Sequence, residues 1–379
     1  MNENLSRRRF LQGACIGVGA LTLSGCDDKK PDKKASKKEA FSGKANGLPS
    51  CDILIIGSGG AGLRAAVAAR KAAPELSVIV ATKMMPSRNA TCMAEGGING
   101  VTNFSDGDSY KLHAYDTVKG GAYLVDQDAA IKFCELAGKA IAEMDYIGTL
   151  FSRNPSGGVD AKKGDVPGGV AQRMMGGASK RRCKYSADKT GHIVMHACFD
   201  EAVSNNVKFL MDYKLLDIGV EDDKCEDVVL RNLQTGDITP VLCKALVVAT
   251  GGYTRIFYNR TSVPYIATGD GAAAAVRAGL GFEDPEMIQF HPTGVANGSS
   301  LITEAARAIE TEIREERGYG ECLGSYVLID VRHLGKETIM KKLPKIRHTA
   351  LLFENLDLVE HPVPIRPTAH YSMGGHRGG

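Results

Sequence analysis

Residues 51–64 read CDILIIGSGGAGLR and constrain the fold more than any other stretch of the chain. The apolar run 53–56 predicts a strand buried on both faces, and the alanine-rich segment after the glycines predicts a helix. Between them, Gly57, Gly59 and Gly62 have the spacing G-x-G-x-x-G. Gly57 permits a tight turn, Gly59 lets a pyrophosphate approach the backbone, and Gly62 lets the helix pack closely on the strand. Because a helix N-terminus presents N–H groups to phosphate oxygens, the stretch predicts a dinucleotide-binding βαβ unit.

The end of the second strand bears on which dinucleotide is bound. Residues 77–81 read SVIVA and predict that strand. An NAD-binding unit commonly has an acidic residue near this point, where its carboxylate hydrogen-bonds the ribose. Thr82 and Lys83 stand there instead, which argues against NAD.

Composition excludes some classes of protein. The chain has 379 residues, 43% of them hydrophobic and 24% charged, which is typical of a soluble globular protein. The net charge is +3, and much of the basic excess lies in residues 1–44, so no nucleic-acid partner is expected. The ten cysteines include no C-x-x-C pair, so the sequence predicts neither a metal site nor an iron–sulfur cluster. We expect these cysteines to behave as small buried hydrophobic side chains or unreactive thiols.

The N-terminus has the pattern of an export signal. Residues 6–11 read SRRRFL, a twin-arginine pattern, and the apolar stretch 13–23 is too short to span a membrane. We therefore expect residues 1–26 to direct the chain to the periplasm by the twin-arginine pathway. The box LSGC ending at Cys26 predicts either a lipidated cysteine, which would tether the chain to a membrane, or an ordinary cleavage site. Residues 27–50, rich in Lys, Asp and Ser, are expected to be a linker.

The rest of the chain alternates strand and helix patterns. Residues 86–100 form a glycine loop with no regular pattern, and residues 148–182 predict a long surface excursion. The periodicity predicts helices over 128–147, 184–203 and 271–279, and strands over 207–220, 225–233 and 245–249. The last strand runs into Thr250-Gly251-Gly252, a loop typical of large flavoproteins, where it caps the far side of the cofactor.

Eight motifs in order identify the chain with a family. They are GSGGAG at 57–62, AEGGING at 94–100, ADKTGH at 187–192, ATGG at 249–252, TGDG at 268–271, QFHPTG at 289–294, LITEAAR at 301–307 and HYSMGG at 370–375. With them the chain resembles the flavoprotein subunits of succinate dehydrogenase and fumarate reductase. The similarity is greatest to periplasmic fumarate reductases that oxidise a methylmenaquinol, which also carry a twin-arginine leader.

The resemblance implies an α/β architecture with a Rossmann-like FAD-binding domain of the glutathione-reductase type. We expect this domain over 51–290, a partial capping domain over 291–366, and a return to the FAD-binding domain over 367–379. In the family, LITEAAR is followed by a stretch of the capping domain and by an arginine that donates a proton. That block is missing here, so we expect a truncated capping domain, no C-terminal helical domain, and activity that is weakened or lost.

The resemblance also implies an FAD site. The residues that correspond to family FAD contacts are Gly57, Gly59, Gly60, Ala61, Gly62, Thr82, Lys83, Ser87, Arg88, Thr91, Glu95, Gly96, Gly97, Thr250, Gly251 and Asp270. Ala90 stands where many members have the histidine that links FAD covalently. Since alanine has no nucleophile, we predict non-covalent FAD.

A dicarboxylate site is implied beside the flavin. The corresponding residues are His291, Thr303, Glu304 and His370, of which the histidines can donate hydrogen bonds near pH 7. The implied reaction is hydride transfer from reduced FAD to fumarate, which gives succinate. The implied partners are an iron–sulfur subunit and a membrane-associated subunit that oxidises a quinol.

Two other functions stay open at the level of sequence. One is an L-aspartate oxidase-like flavoenzyme, which shares the fold and also lacks the covalent histidine. The other is a non-catalytic remnant that binds FAD or a partner, which the missing capping block supports. The export leader and the match through HYSMGG favour fumarate reductase over the oxidase.

Overall fold

The computed structural model describes residues 49–154, 168–258, 260–295, 300–301, 306–320, 325–372 and 375–376. The strands are β1 Ser50–Ile56, β2 Val78–Thr82, β3 Ile98–Asn99, β4 Gln172–Arg173, β5 Cys183–Lys184, β6 Lys208–Met211, β7 Tyr213–Glu221, β8 Lys224–Asn232, β9 Ile238–Val248, β10 Phe282–Glu283, β11 Ile288–Val295, β12 Ser300–Leu301, β13 Val327–Ile329, β14 Val363–Ser372 and β15 Gly375–His376. The α-helices are α1 Gly60–Ala72, α2 Ala90–Met93, α3 Tyr110–Gly120, α4 Gln127–Tyr146, α5 Thr190–Ser204, α6 Asp270–Arg277, α7 Ala306–Arg314, α8 Lys336–Lys342 and α9 Pro344–Glu354. Short 3₁₀ turns occur at Thr254–Ile256 and Arg332–Leu334.

A six-stranded sheet in the order β6-β2-β1-β9-β8-β7 forms the centre of the molecule. The first four strands of that order run parallel, and β8 and β7 continue the sheet antiparallel. The carboxyl ends of parallel strands share one edge, where α/β proteins bind their ligands. Gly57 follows β1 and Thr250 lies just beyond β9 at this edge, so the glycine turn and the T-G-G loop face each other. The expected α/β fold is confirmed.

Both faces of the sheet are covered by apolar side chains. On one face, Ile55 and Val80 pack against Leu63 of α1 and Met195 of α5. On the other face, apolar side chains of the strands pack against Ala274 and Ala275 of α6. This double coverage explains why β1 reads as a continuous apolar run and not as an alternating pattern.

Close packing of glycines fixes the turn from β1 to α1. Gly57 has φ +110°, and a Cβ atom there would lie 2.2 Å from the carbonyl oxygen of Ala249. A Cβ on Gly62 would lie 1.9 Å from the carbonyl oxygen of Gly57. The helix therefore reaches its place against the strand only because both positions lack a side chain.

A smaller sheet, in the order β12-β11-β14-β13, follows the central one along the chain. Its own apolar cluster includes Ile309, Ile339, Val363 and Ile365. The expected domain boundaries after residues 290 and 366 fall inside β11 and β14, which pair with each other.

Several local expectations need correction. The helix expected from residue 184 begins at Thr190, because Cys183–Lys184 pairs as β5 with β3 and β4. The loop 86–100 contains the short helix α2 and strand β3. Residues 155–167 of the expected surface excursion lie outside the described residues, and its last residue, Arg182, has a side chain that is only 1% exposed. Across the described residues, none of the helices is long and apolar enough to cross a membrane.

Candidate active site

A cavity of about 260 Å³ opens at the carboxyl edge of the central sheet. The turn between β1 and α1 forms one wall, and the ends of β2 and β9 and the first residues of α6 form others. Predicted cofactor residues that line it are Gly57, Gly59, Gly60, Ala61, Thr82, Lys83, Thr91, Thr250, Gly251 and Asp270. Residues far apart in the sequence thus converge on one concave site.

The glycine turn suits an anionic group. Gly59 caps α1 without a side-chain hydrogen bond, and the first turn of the helix has no acidic residue. A Cβ on Gly59 would meet only the hydroxyl oxygen of Thr91, at 3.5 Å. The same hydroxyl accepts a hydrogen bond from the amide of Gly60 at 3.0 Å. Gly59 therefore leaves space for a diphosphate beside the N-terminus of this 13-residue helix, and the residues present fit the FAD pyrophosphate.

A charged network stands at the α6 side of this cavity. The Lys83 ammonium lies 2.5 Å from a carboxylate oxygen of Asp270, and Lys214 lies 2.9 Å from the other. Hydrogen bonds from Lys83, Thr268 and Lys214 hold the pKa of Asp270 at about 2 although burial opposes this. Asp270 is therefore a carboxylate at neutral pH, held in a fixed position where it can accept hydrogen bonds from a ligand's hydroxyl groups.

A second cavity, of about 250 Å³, adjoins the first. Ala90 and Pro264 line both cavities, so the two share a wall at the N-terminus of α2. Glu95, His370 and Tyr371 line the second cavity. A cofactor that extends from the glycine turn past Ala90 would reach the histidine.

The two predicted substrate histidines lie together. His291 on β11 and His370 on β14 have ring centroids 5.0 Å apart, and the Nδ1 atom of His370 hydrogen-bonds with the Ser262 hydroxyl. Burial and the neighbouring His291 lower the pKa of His370 to about 4, and burial lowers that of His291. Both imidazoles are therefore neutral at pH 7. Thr303 and Glu304 lie outside the described residues.

The other predicted FAD residues lie around the two cavities. Gly62 lies behind the turn, where it packs α1 on β1. Gly96 and Gly97 lie against β4 and β5, where the Arg173 guanidinium donates to the carbonyl oxygens of Glu95 and Gly96. Ser87 and the exposed Arg88 lie in the turn before α2 and do not line the first cavity.

Sequence reasoning missed several residues of the site. Buried Asn89 lines the first cavity and accepts a hydrogen bond from the Cys92 amide, which caps α2. Asparagine before a short helix is a recognisable cap signal. Tyr213 of β7 also lines this cavity, and Ser262 positions His370 from a distance of 108 residues in sequence, with no local signal. Among the described residues, no group of three or more metal-ligating side chains is arranged to hold a metal ion.

Comparison with known proteins identifies the family and the cofactor of the chain. A family model described as "FAD binding domain" matches residues 52–309 and 304–377. The chain belongs to the FAD binding domain family. The prediction of FAD as its cofactor is confirmed.

Relatives agree with the resemblance read from the motifs. The 8-methylmenaquinol:fumarate reductase flavoprotein subunit of Wolinella succinogenes is 58% identical over 99% of this chain and 64% of its own length. The succinate dehydrogenase flavoprotein subunit of Rickettsia felis is 36% identical over 86% of this chain and 59% of its own length. A solved quinol fumarate reductase from E. coli matches with a TM-score of 0.77 and 30% identity, over 86% of this chain and 61% of that chain. The predicted similarity to this group is confirmed, and the chain spans about three fifths of the length of these relatives.

Proposed function

We propose that this chain is the FAD-bearing part of a fumarate reductase flavoprotein subunit that reduces fumarate to succinate. The observation that carries the proposal is the shared wall of the two cavities at Ala90 and Pro264. This shared wall supports a cofactor that starts at the glycine turn and ends near His370, whose ring contacts that of His291.

The chain's own residues would bind and orient the dicarboxylate. FAD supplies the hydride when it is bound and reduced. The hydrogen bond of Ser262 with Nδ1 of His370 leaves Nε2 as the ring nitrogen that can bond a substrate oxygen. A neutral imidazole donates one hydrogen bond without the desolvation cost of a cation. Glu304 and Thr303 would join this site in the manner of the family, as proposed on the resemblance.

Non-covalent FAD is part of the proposal. Ala90 lines both cavities at the position of the family's linking histidine, and its methyl group cannot form a bond to the flavin. Acid precipitation of the holoprotein should therefore release all flavin into the supernatant. Flavin that stays with the precipitate would contradict this.

The proposed location and partners of the chain rest on its N-terminal pattern and on the family resemblance. The twin-arginine pattern supports a periplasmic protein, held at the membrane through partners or a lipid on Cys26. An iron–sulfur subunit would deliver electrons, and a membrane-associated subunit would take them from a quinol. The name of the Wolinella relative, a quinol:fumarate reductase, supports this route.

The decisive experiment uses the purified chain loaded with FAD. Oxidation of reduced viologen should depend on fumarate, and His370→Ala should lower the rate at least tenfold, whereas the exposed His333→Ala should not. Oxidation of L-aspartate by oxygen would instead assign the oxidase function. A bound flavin spectrum without turnover of either substrate would identify a non-catalytic remnant.

A further inference from the structure

Three cysteines meet on one face of the central sheet, away from both cavities. Cys51 on β1 and Cys243 on β9 are register partners on neighbouring parallel strands. Cys225 on β8 packs against the same apolar cluster, and all three are free thiols. Cys51 lies near the start of β1 and Gly57 follows its end, so the cluster is about 20 Å from the glycine turn along the strand.

A β-bulge brings Cys225 to this face. In a regular strand, Cys225 would share the face of Asp227 and Val229, because side chains alternate. The pairing of β7 with β8 skips one residue, since Gly219 pairs with Asp227 and Val220 with Cys225. The skipped residue turns the Cys225 side chain to the opposite face, where Cys243 lies in the apolar cluster. The paired residues of β8 and β9 end at Asp227 and Leu242, so Cys225 and Cys243 lie next to the last pair on neighbouring antiparallel strands.

We propose that Cys225 and Cys243 form a disulfide that links β8 to β9 when the folded protein meets a small-molecule disulfide such as oxidised glutathione. The proposal is independent of the FAD-dependent reaction. It departs from the expectation that the cysteines are unreactive, which the sequence supports only through the lack of a C-x-x-C pair.

The surroundings of the thiols determine which of them reacts first with the external disulfide. Cys225 is half-buried, so an external disulfide reaches its sulfur before that of buried Cys243, and its neighbour Cys243 also lowers its pKa. Cys243 is fully buried, and its neighbours raise its pKa, so it reacts second. Burial raises the pKa of Cys51 to about 11, which makes it the poorer competitor for an external disulfide.

The chemistry balances in two exchanges. The Cys225 thiolate attacks one sulfur of oxidised glutathione, forms a mixed disulfide and releases one glutathione thiolate. The Cys243 sulfur then attacks the Cys225 sulfur and displaces the second glutathione, and the Cys243 proton leaves with a released thiolate. Two protein thiols lose two electrons, and one glutathione disulfide becomes two glutathione thiols.

The link would matter most in an oxidising compartment, where the proposed export would place the chain. It closes a short loop between adjacent strands of the central sheet, so it restricts the unfolded chain. It also ties strands that pack on Ala274 and Ala275 of α6, the helix that begins at Asp270 in the FAD cavity.

The test compares the protein treated with oxidised glutathione and with dithiothreitol. The oxidised wild-type protein should lose the mass of two hydrogens, and peptide mapping should join the peptides that contain Cys225 and Cys243. The melting temperature should rise by about 5 °C and return on reduction. Cys225→Ser should abolish both effects, and Cys198→Ala, in the apolar cluster on the other face, should abolish neither.

Three results would overturn the proposal. One is a wild-type protein that keeps both thiols after oxidation, and another is a Cys51–Cys243 link. The third is a stable glutathione adduct on Cys225 that does not exchange with Cys243. Because all three are read from wild-type peptides, a variant that fails to fold does not affect the outcome.

Discussion

At the scale of residues, the same added methyl group should act in opposite ways at Gly62 and Gly59. Gly62→Ala places a Cβ 1.9 Å from a carbonyl oxygen, so α1 must move off β1. We expect a loss of about 2–4 kcal/mol in the free energy of unfolding. Gly59→Ala meets nothing closer than 3.5 Å, so the fold should keep its stability. Its methyl group would stand where the pyrophosphate approaches, and FAD affinity should fall at least tenfold.

Chemical denaturation and flavin titration of both variants check this pair. Gly120→Ala is the control, because it lies at the end of α3 with nothing within 4 Å of its added Cβ. It should change neither property by more than a helix-propensity effect of about 1 kcal/mol. Equal stability of Gly62→Ala and the wild type would show that the turn is not as tightly packed as the structure has it.

His370 should make the protein less stable in acid. Its pKa is about 4 in the folded chain, against an ordinary 6.5, so between these values the unfolded chain binds more protons. Stability from this group is therefore complete above pH 6.5 and is lost as the pH falls to 4. Allowing for its partial exposure, we expect a loss of about 2 kcal/mol over this window. In denaturation curves, His370→Gln should make the free energy of unfolding depend less on pH between pH 4 and 6.5. An unchanged pH dependence would contradict the low pKa of His370.

The glycine cradle could be predicted from the sequence because its geometry is local. Gly57, Gly59 and Gly62 lie within one turn, and their spacing carries the packing constraint. The partnership of His370 with Ser262 could not be predicted, because no local pattern joins residues 108 positions apart. Resemblance to a family supplied His370, but the family motif contains nothing about its hydroxyl partner.

At the scale of elements, α1 and α5 also differ in whether local sequence or distant residues determine where the helix begins. The start of α1 is marked by the glycine turn that precedes it, whereas the residues before Thr190 have a helix-like pattern but are drawn into β5. There Lys184 pairs with Ile98 and Gln172, and its ammonium donates to the Gly100 carbonyl at 2.6 Å. Tertiary hydrogen bonds thus override a local preference that is worth less than 1 kcal/mol per residue.

A buried ion cluster joins the residue before β5 to α3 and should be sensitive to removal of one partner. Arg182, only 1% exposed, lies 2.7 Å from Asp108 and 2.5 Å from Asp116. Arg182→Leu would leave two carboxylates without their cation in a poorly solvated place, so we expect a loss of about 3–5 kcal/mol in stability. Arg317→Leu is the matched control, since Arg317 also pairs with two carboxylates but lies on the surface. Urea denaturation should show no measurable change for the control, and an equally mild effect of Arg182→Leu would contradict the buried cluster.

At the scale of the whole molecule, the proposed FAD site is assembled from distant parts of the chain. Its residues run from Gly57 to Asp270 in the first cavity, and the second cavity adds His370 from β14. The family resemblance implied that these segments meet, and in the structure the glycine turn and the T-G-G loop follow β1 and β9 at one edge of the central sheet. The sequence could not predict that two cavities share the wall at Ala90, since that depends on the placement of α2 and of Pro264.

Ligand binding should therefore stabilise the whole chain, and the fragments of FAD should do so unequally. FAD at a hundred times its dissociation constant should add about 2.7 kcal/mol to the free energy of unfolding, a rise of about 5–10 °C in melting temperature. ADP carries the diphosphate that fits the open N-terminus of α1, so ADP alone should give part of this rise. Riboflavin lacks the diphosphate and should give none at the same concentration. In Gly59→Ala, the ADP response should vanish while the melting temperature without ligand stays that of the wild type. A protein stabilised by riboflavin but not by ADP would show that binding begins at the histidine cavity and not at the glycine turn.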